Sequence, residues 1–356
     1  MAFLECKNVR IAGMSVGVPK NTINNQDGGG NFSTDYSPED FIATTGVRER
    51  RFSMNLTTSD LCYKAAETLI ADLHWDKNEV EALIFVSQTA DYILPATSCI
   101  LQDRLGLSKE CYTEDISLGC SGWVYGLSNI ASLIANGNVK KAILLAGDAK
   151  PRVFDNDPLF GHAGTATALE YEEGNEGFKF HFGTDGSGYD AIIIPDGGSR
   201  NGISLSSFET TEIEGRIYSR LHDRMKGMDV FGFGISTAPK SIKKLSDHFC
   251  IDYMNADYYV FHQANMKMIN MIAKKLKLPL EKVPSSMNHF GNTSSASIPV
   301  TIVSQLRNIV SAQKAKMICC GFGVGLSWGS VAFETNKIVV PEIVEISDQE
   351  GGAKWV

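Results

Sequence analysis

A chain of 356 residues, 43% apolar and 21% charged, can bury a large core as one big domain or two medium ones, which excludes disordered, fibrous and low-complexity classes. Its 41 acidic against 33 basic residues, a formal charge of −8, argue against broad nucleic-acid binding and leave room for only a local basic patch. No apolar leader and no run near eighteen apolar residues is found, so the expectation is a cytoplasmic protein with no membrane contact.

In chain order, the stretch 21–37, with Gly28, Gly29 and Gly30, is turn-like. An apolar run at 82–87 predicts a strand, 97–105 a helix, the residues after Cys120 a further helix, and 141–145 a strand. The segment 172–216 is rich in Gly, Asp and Ser and is expected to be loop. Beyond it the order returns, with a strand at 258–261, helices at 266–276 and 297–309, and a strand at 317–320. The alternation predicts an α/β fold. The recurrence, and the similarity of 81–88 to 256–263, predict an internal duplication. The tail after Glu334 is expected to lie outside the core.

Eight cysteines occur without any CxxC pair, so neither zinc nor any other metal is expected, and a buried thiol is the ordinary fate of each. Cys120 has a different context. It stands where a strand turns into a helix predicted to start at Cys120 itself, and unpaired N–H groups at a helix start favour a thiolate. Gly119 and Gly122 would let a carbonyl approach and leave the Cys120 N–H for an oxyanion. The pattern alone leaves a structural cysteine equally open.

His262 closes a buried strand in Tyr259-Val260-Phe261-His262-Gln263-Ala264-Asn265. Taken alone, such a histidine is more often a structural residue bonded to nearby carbonyls. Asn292 lies in His289-Phe290-Gly291-Asn292-Thr293-Ser294 before a helix, where the plain reading is a cap. The segment 320–329 looks like a dinucleotide-binding turn but continues as a strand, which predicts a glycine hairpin whose N–H groups can complete an oxyanion site.

Together these segments resemble the thiolase-like superfamily, and within it β-ketoacyl-acyl carrier protein synthase III, from about Val9 to Glu334. Thr45-Gly46-Val47-Arg48-Glu49-Arg50, Leu94-Pro95, the Cys120 helix, His262-Gln263-Ala264-Asn265, Gly291-Asn292-Thr293-Ser294 and the glycine hairpin carry the resemblance. It implies a five-layered α-β-α-β-α fold of two similar halves, 1–175 and 176–335, with an extension at 336–356. It also implies a homodimer formed through the first half. Asn292 and Val324 separate the chain from the elongating synthases and the thiolases. The lack of a glutamate near Gln88-Thr89-Ala90 separates it from hydroxymethylglutaryl-type synthases.

By the same resemblance Cys120, His262 and Asn292 are the catalytic set, and the N–H groups of Cys120 and Val324 form the oxyanion hole. Phe231 walls the nucleophile, and Leu94 stands near the acyl pocket. An acyl thioester of coenzyme A or carrier protein loads Cys120, and malonyl-acyl carrier protein then condenses with it, with no resident cofactor. The alternative is acyl transfer to an oxygen or nitrogen nucleophile in a specialised pathway. The departures gather where coenzyme A's nucleotide would bind. Phe41 replaces an expected Trp, Arg152 sits too early for an expected Arg, and His162 interrupts a glycine passage. Lys267, Lys274 and Lys275 fit docking of acyl carrier protein, although a solvated lysine face accounts for them as well.

Overall fold

The computed structural model describes residues 2–30, 32, 37–149, 157–213 and 216–351. The main elements begin with β1 (Ala2–Cys6), β2 (Val9–Pro19), α1 (Pro38–Thr45), α2 (Thr58–Asp72), β3 (Ala82–Val86) and α3 (Thr97–Leu105). Next come β4 (Tyr112–Ile116), α4 (Gly122–Ile134), β5 (Lys141–Asp148), β6 (Ala163–Tyr171) and β7 (Phe178–Thr184). The chain continues through α5 (Gly227–Phe249), β8 (Tyr258–Phe261), α6 (Met266–Leu276) and α7 (Ser297–Ala312). It closes with β9 (Lys314–Gly323), β10 (Ser327–Asn336) and β11 (Val344–Ile346).

Two sheets carry the architecture. One has the order β11-β2-β6-β5-β3-β4, the other β1-β7-β10-β9-β8. Strand β3 shows why they must be covered on both faces: all five of its residues are buried, as expected of a strand flanked by parallel neighbours. Its side chains divide by the period of two. Ile84 and Val86 pack inward with Trp123, Leu127 and Ile130 of α4 and Ile298, Ile302 and Leu306 of α7. Leu83 and Phe85 pack outward with Leu69 of α2 and Leu101 of α3. The second sheet repeats this: Val260 and Cys319 face the middle helices, while Tyr259, Phe261 and Cys320 meet Ile242 of α5 and Ile272 of α6. The layers are therefore helices, sheet, helices, sheet, helices, the five-layered α/β arrangement expected. Among the described residues no helix is long and apolar enough to cross a membrane.

Two expectations are corrected. The supposed loop 172–216 contains β7, hydrogen-bonded between β1 and β10. Phe178, Phe180 and Phe182 alternate with Lys179 and His181, and the two buried phenylalanines enter the middle layer. The tail after Glu334 is not outside the core: Ile338, Val340 and Ile346 are buried, and β11 pairs in parallel with β2. The two ends of the chain thus exchange places, with the first strand in the second sheet and the last strand in the first.

Candidate active site

Each chemically interesting side chain sits where an element of one sheet ends against the other half. Cys120 follows β4 and lies in the turn before α4, which starts at Gly122, two residues later than expected. The turn must be tight because a Cβ on Gly122 would stand 2.5 Å from Val86 Cγ1. The hairpin between β9 and β10 closes over the thiol. A Cβ on Gly323 would meet Cys120 Cβ at 2.5 Å and Sγ at 2.8 Å, so only glycine admits this approach. Polar groups of Val324, Ser294 and the Cys120 main chain lie around the sulfur and favour its thiolate. The Ser327 hydroxyl donates to the Val324 carbonyl at 2.8 Å, and its oxygen lies 2.7 Å from that of Ser121, which ties the hairpin turn to the nucleophile's own turn.

The electrostatics differ from the expectation drawn from the helix start. Burial pushes the Cys120 thiol up to about 11, and the Asp148 carboxylate adds to the rise, against the hydrogen bonds that favour the thiolate. Cys120 is partly accessible and lines a cavity.

His262 follows β8 and is 2% exposed. Its main-chain N–H donates to the Cys320 carbonyl at 2.9 Å, and Nδ1 is 2.8 Å from the Ser297 hydroxyl. When Ser297 donates, the ring proton resides on Nε2. Burial holds the imidazole down to about 3, so it is neutral at physiological pH.

Asn292 is placed by Gly291, whose φ of 62° suits glycine and whose Cβ would meet the Leu159 carbonyl oxygen at 2.7 Å. The Asn292 N–H donates to Leu159 O at 2.9 Å, and its Oδ1 accepts from the Ser294 N–H at 2.9 Å. Asn292 is therefore not the helix cap, since Thr293 precedes the turn 294–296 and Ala296 precedes α7; its oxygen closes a local turn instead. Its NH2 group is left for the cavity. Cys120, His262, Asn292 and Val324 all border one cavity of about 550 Å³, whose remaining wall is mostly apolar and includes Ile193, Met225, Phe231 and Phe322.

Comparison with known proteins places this arrangement. The family model for 3-oxoacyl-(acyl-carrier-protein) synthase III matches residues 114–186, and the model for its C-terminal part matches 251–335. The β-ketoacyl-(acyl-carrier-protein) synthase III of Clostridium acetobutylicum is 31% identical over 335 residues, covering 93% of this chain and 99% of its own. The chain belongs to the β-ketoacyl-acyl carrier protein synthase III family. The counterpart from Fusobacterium nucleatum is 32% identical, with 91% and 98% covered. The crystal structure of a 3-oxoacyl-(acyl-carrier protein) synthase from Burkholderia xenovorans LB400 superposes with a TM-score of 0.89 at 36% identity, covering 97% of this chain and 99% of that one. The fold is thus that of the synthase III enzymes, and the chain is an acyltransferase of that kind.

Against that family, the remaining expected residues divide. Phe231, in the first turns of α5, borders the cavity. Lys267 opens α6 with Nζ 5.9 Å from the Phe231 ring centre. Lys274 and Lys275 are exposed near the other end of that helix, where Lys275 donates to the Ile235 carbonyl at 3.0 Å. Phe41 is half-buried, edge-on to Phe32 at 5.3 Å, and does not border the cavity. Leu94, 85% exposed on the loop before α3, does not border it either. His162 is buried with its ring 4.7 Å from that of Phe52, a packing position. Arg152 lies outside the described residues. Sequence reasoning missed Asp148, Ser294 and Ser297. Of these only Asp148 left a trace, as an acid closing an apolar strand. Among the described residues no group of three His, Cys, Asp or Glu side chains is placed to hold a metal ion.

Proposed function

We propose that this enzyme loads an acyl group on Cys120 and condenses it with malonyl-acyl carrier protein, with loss of carbon dioxide. The single observation that carries the reading is the convergence of Cys120, His262 and Asn292, from three separate segments, on one largely apolar cavity beneath the Val324 N–H.

In the first step the Cys120 sulfur attacks the thioester carbonyl of a coenzyme A or carrier-protein donor. The carbon–sulfur bond of the donor breaks, and the thiol proton passes to the departing thiol. N–H groups of Cys120 and Val324 hold the oxyanion that forms between these events. In the second step Nε2–H of His262 and the Asn292 amide donate to the malonyl thioester oxygen. Carbon dioxide leaves, and the electron pair released becomes a stabilised enolate. Its carbon attacks the acyl carbonyl and expels the Cys120 thiolate, which takes up a proton. A neutral imidazole suits this role because it donates without carrying charge into the cavity. The scheme uses thioesters as substrates and calls for no resident cofactor.

Exposed Lys267, Lys274 and Lys275 on the helix following His262 support docking of an acidic carrier protein. A cytoplasmic homodimer formed through the first half completes the reading. Halves at 1–175 and 176–335 remain useful as functional units, since one supplies Cys120 and the other His262 and Asn292. The test is to incubate the protein with acyl donors, read the mass gained on Cys120, then add malonyl-carrier protein and follow carbon dioxide. Acylation followed by release of carbon dioxide supports condensation. If the acyl group leaves while carbon dioxide is retained, the reaction is transfer to an oxygen or nitrogen acceptor.

A further inference from the structure

Asp148 closes β5 at the edge of the cavity, 8% exposed, and no step above uses it. Its two oxygens serve different halves of the molecule. Oδ1 accepts from the Gln88 N–H at 2.8 Å and from the Ser87 hydroxyl at 3.1 Å, on the loop that follows β3. Oδ2 accepts from the Ser295 N–H at 3.2 Å and the Ser295 hydroxyl at 2.9 Å, on the loop that carries Asn292. Ser294 favours the charged forms of both this carboxylate and the Cys120 thiol.

Both oxygens therefore face a main-chain N–H, a group that can only donate. A carboxylate satisfies both sides, whereas an amide or a protonated acid must turn a hydrogen toward one of them. Leaving a buried donor against another donor is costly, so that side of the contact opens. We propose that Asp148 is a positioning residue for the condensation, joining the Asn292 loop of the second half to the strand ends around Cys120 in the first. The proposal rests on the condensation reading for its kinetic consequence but not for its electrostatic one. The carboxylate also places a negative charge beside the thiol, which opposes thiolate formation.

The test compares wild type with Asp148→Asn in three measurements: the pH profile of Cys120 alkylation by iodoacetamide, the rate of Cys120 acylation, and the kcat of the second step. The expected result is an alkylation profile displaced to lower pH, and a second step that falls at least about tenfold relative to acylation, the scale of a misplaced catalytic group. The loss is expected in kcat rather than in KM for the malonyl thioester. An unmoved alkylation profile, or equal losses in both half-reactions, overturns the proposal. Alkylation needs no acyl substrate, so that arm decides even if wild type releases no carbon dioxide, an outcome that would sink condensation alone. Should Asp148→Asn fail to fold, Ser295→Ala trims one hydroxyl from the loop side. A fall in the second step relative to acylation then supports the proposal, and an unchanged ratio overturns it.

Discussion

His262 shows how far burial alone can set a residue's chemistry. Its imidazole is held down to about 3 by desolvation, against an ordinary value near 6.5. The sign follows from proton uptake. As pH falls below about 6.5 the unfolded chain binds a proton at this residue while the folded chain does not, so stability present above that pH is lost progressively toward about 3. Between pH 7 and pH 5 this one residue should cost about 2 kcal/mol. Urea unfolding of wild type and His262→Gln at both pH values checks it: wild type loses more, and equal losses would assign the titration elsewhere. The turn that places Cys120 was legible, although it left a structural thiol as open as a nucleophile and only the family resemblance chose between them. The thiol's resting protonation was not, because the groups that raise it, the surrounding protein and Asp148, are brought to it only by the fold.

At the scale of elements, the hairpin of β9 and β10 depends on Gly323 for its approach to Cys120. Gly323→Ala should keep the fold, since the turn lines a cavity, but should displace the Val324 N–H from the sulfur. Loss of one oxyanion donor is worth about 10²–10³ in rate, and a stopped acylation assay read by mass spectrometry would show it. A change of less than tenfold would mean that the turn adapts. Elements bounded by plain signals were legible at their true limits, as α3, β8 and α6 show. Helix α5 was not. It holds Gly227, Gly232 and Gly234 with Pro239 inside, all poor helix residues. Packing explains why it forms: a Cβ on Gly234 would meet Met268 Sδ at 2.6 Å and Phe322 Cε2 at 2.8 Å, so the glycine lets the helix settle against α6 and the hairpin. Strand β7 was hidden similarly, its three alternating phenylalanines lying inside a stretch whose turns dominate the composition.

At the scale of the whole molecule, surface charge and closure of the sheets give two expectations. Lys267→Glu with Lys274→Glu should reduce turnover with carrier-protein substrates about tenfold, mainly through KM, while leaving small thioester donors unaffected. Unchanged turnover with the carrier protein would dismiss α6 as its docking face. Ile346, buried where β11 closes the first sheet, should cost about 2–4 kcal/mol when changed to Ala. Chemical denaturation measures this, and a cost below about 0.5 kcal/mol, the level of an ordinary surface change, would return the tail to the periphery. The five layers and the triplet Cys120, His262 and Asn292 came only with the family resemblance, whereas the α/β alternation was legible because it rests on local patterns. The exchange of end strands was not, since nothing within residues 2–6 or 344–346 says which sheet they join.

That exchange bears on how the protein comes into being. Strand β1 at residues 2–6 pairs with β7 at residues 178–182, so one edge of the second sheet waits on a contact between distant parts of the chain. The first sheet takes its edge strand β11 from residues 344–346, paired with residues 17–19 of β2. Neither sheet is complete without a strand from beyond the other sheet's strands in the chain. Folding should therefore complete both sheets as one event rather than half by half.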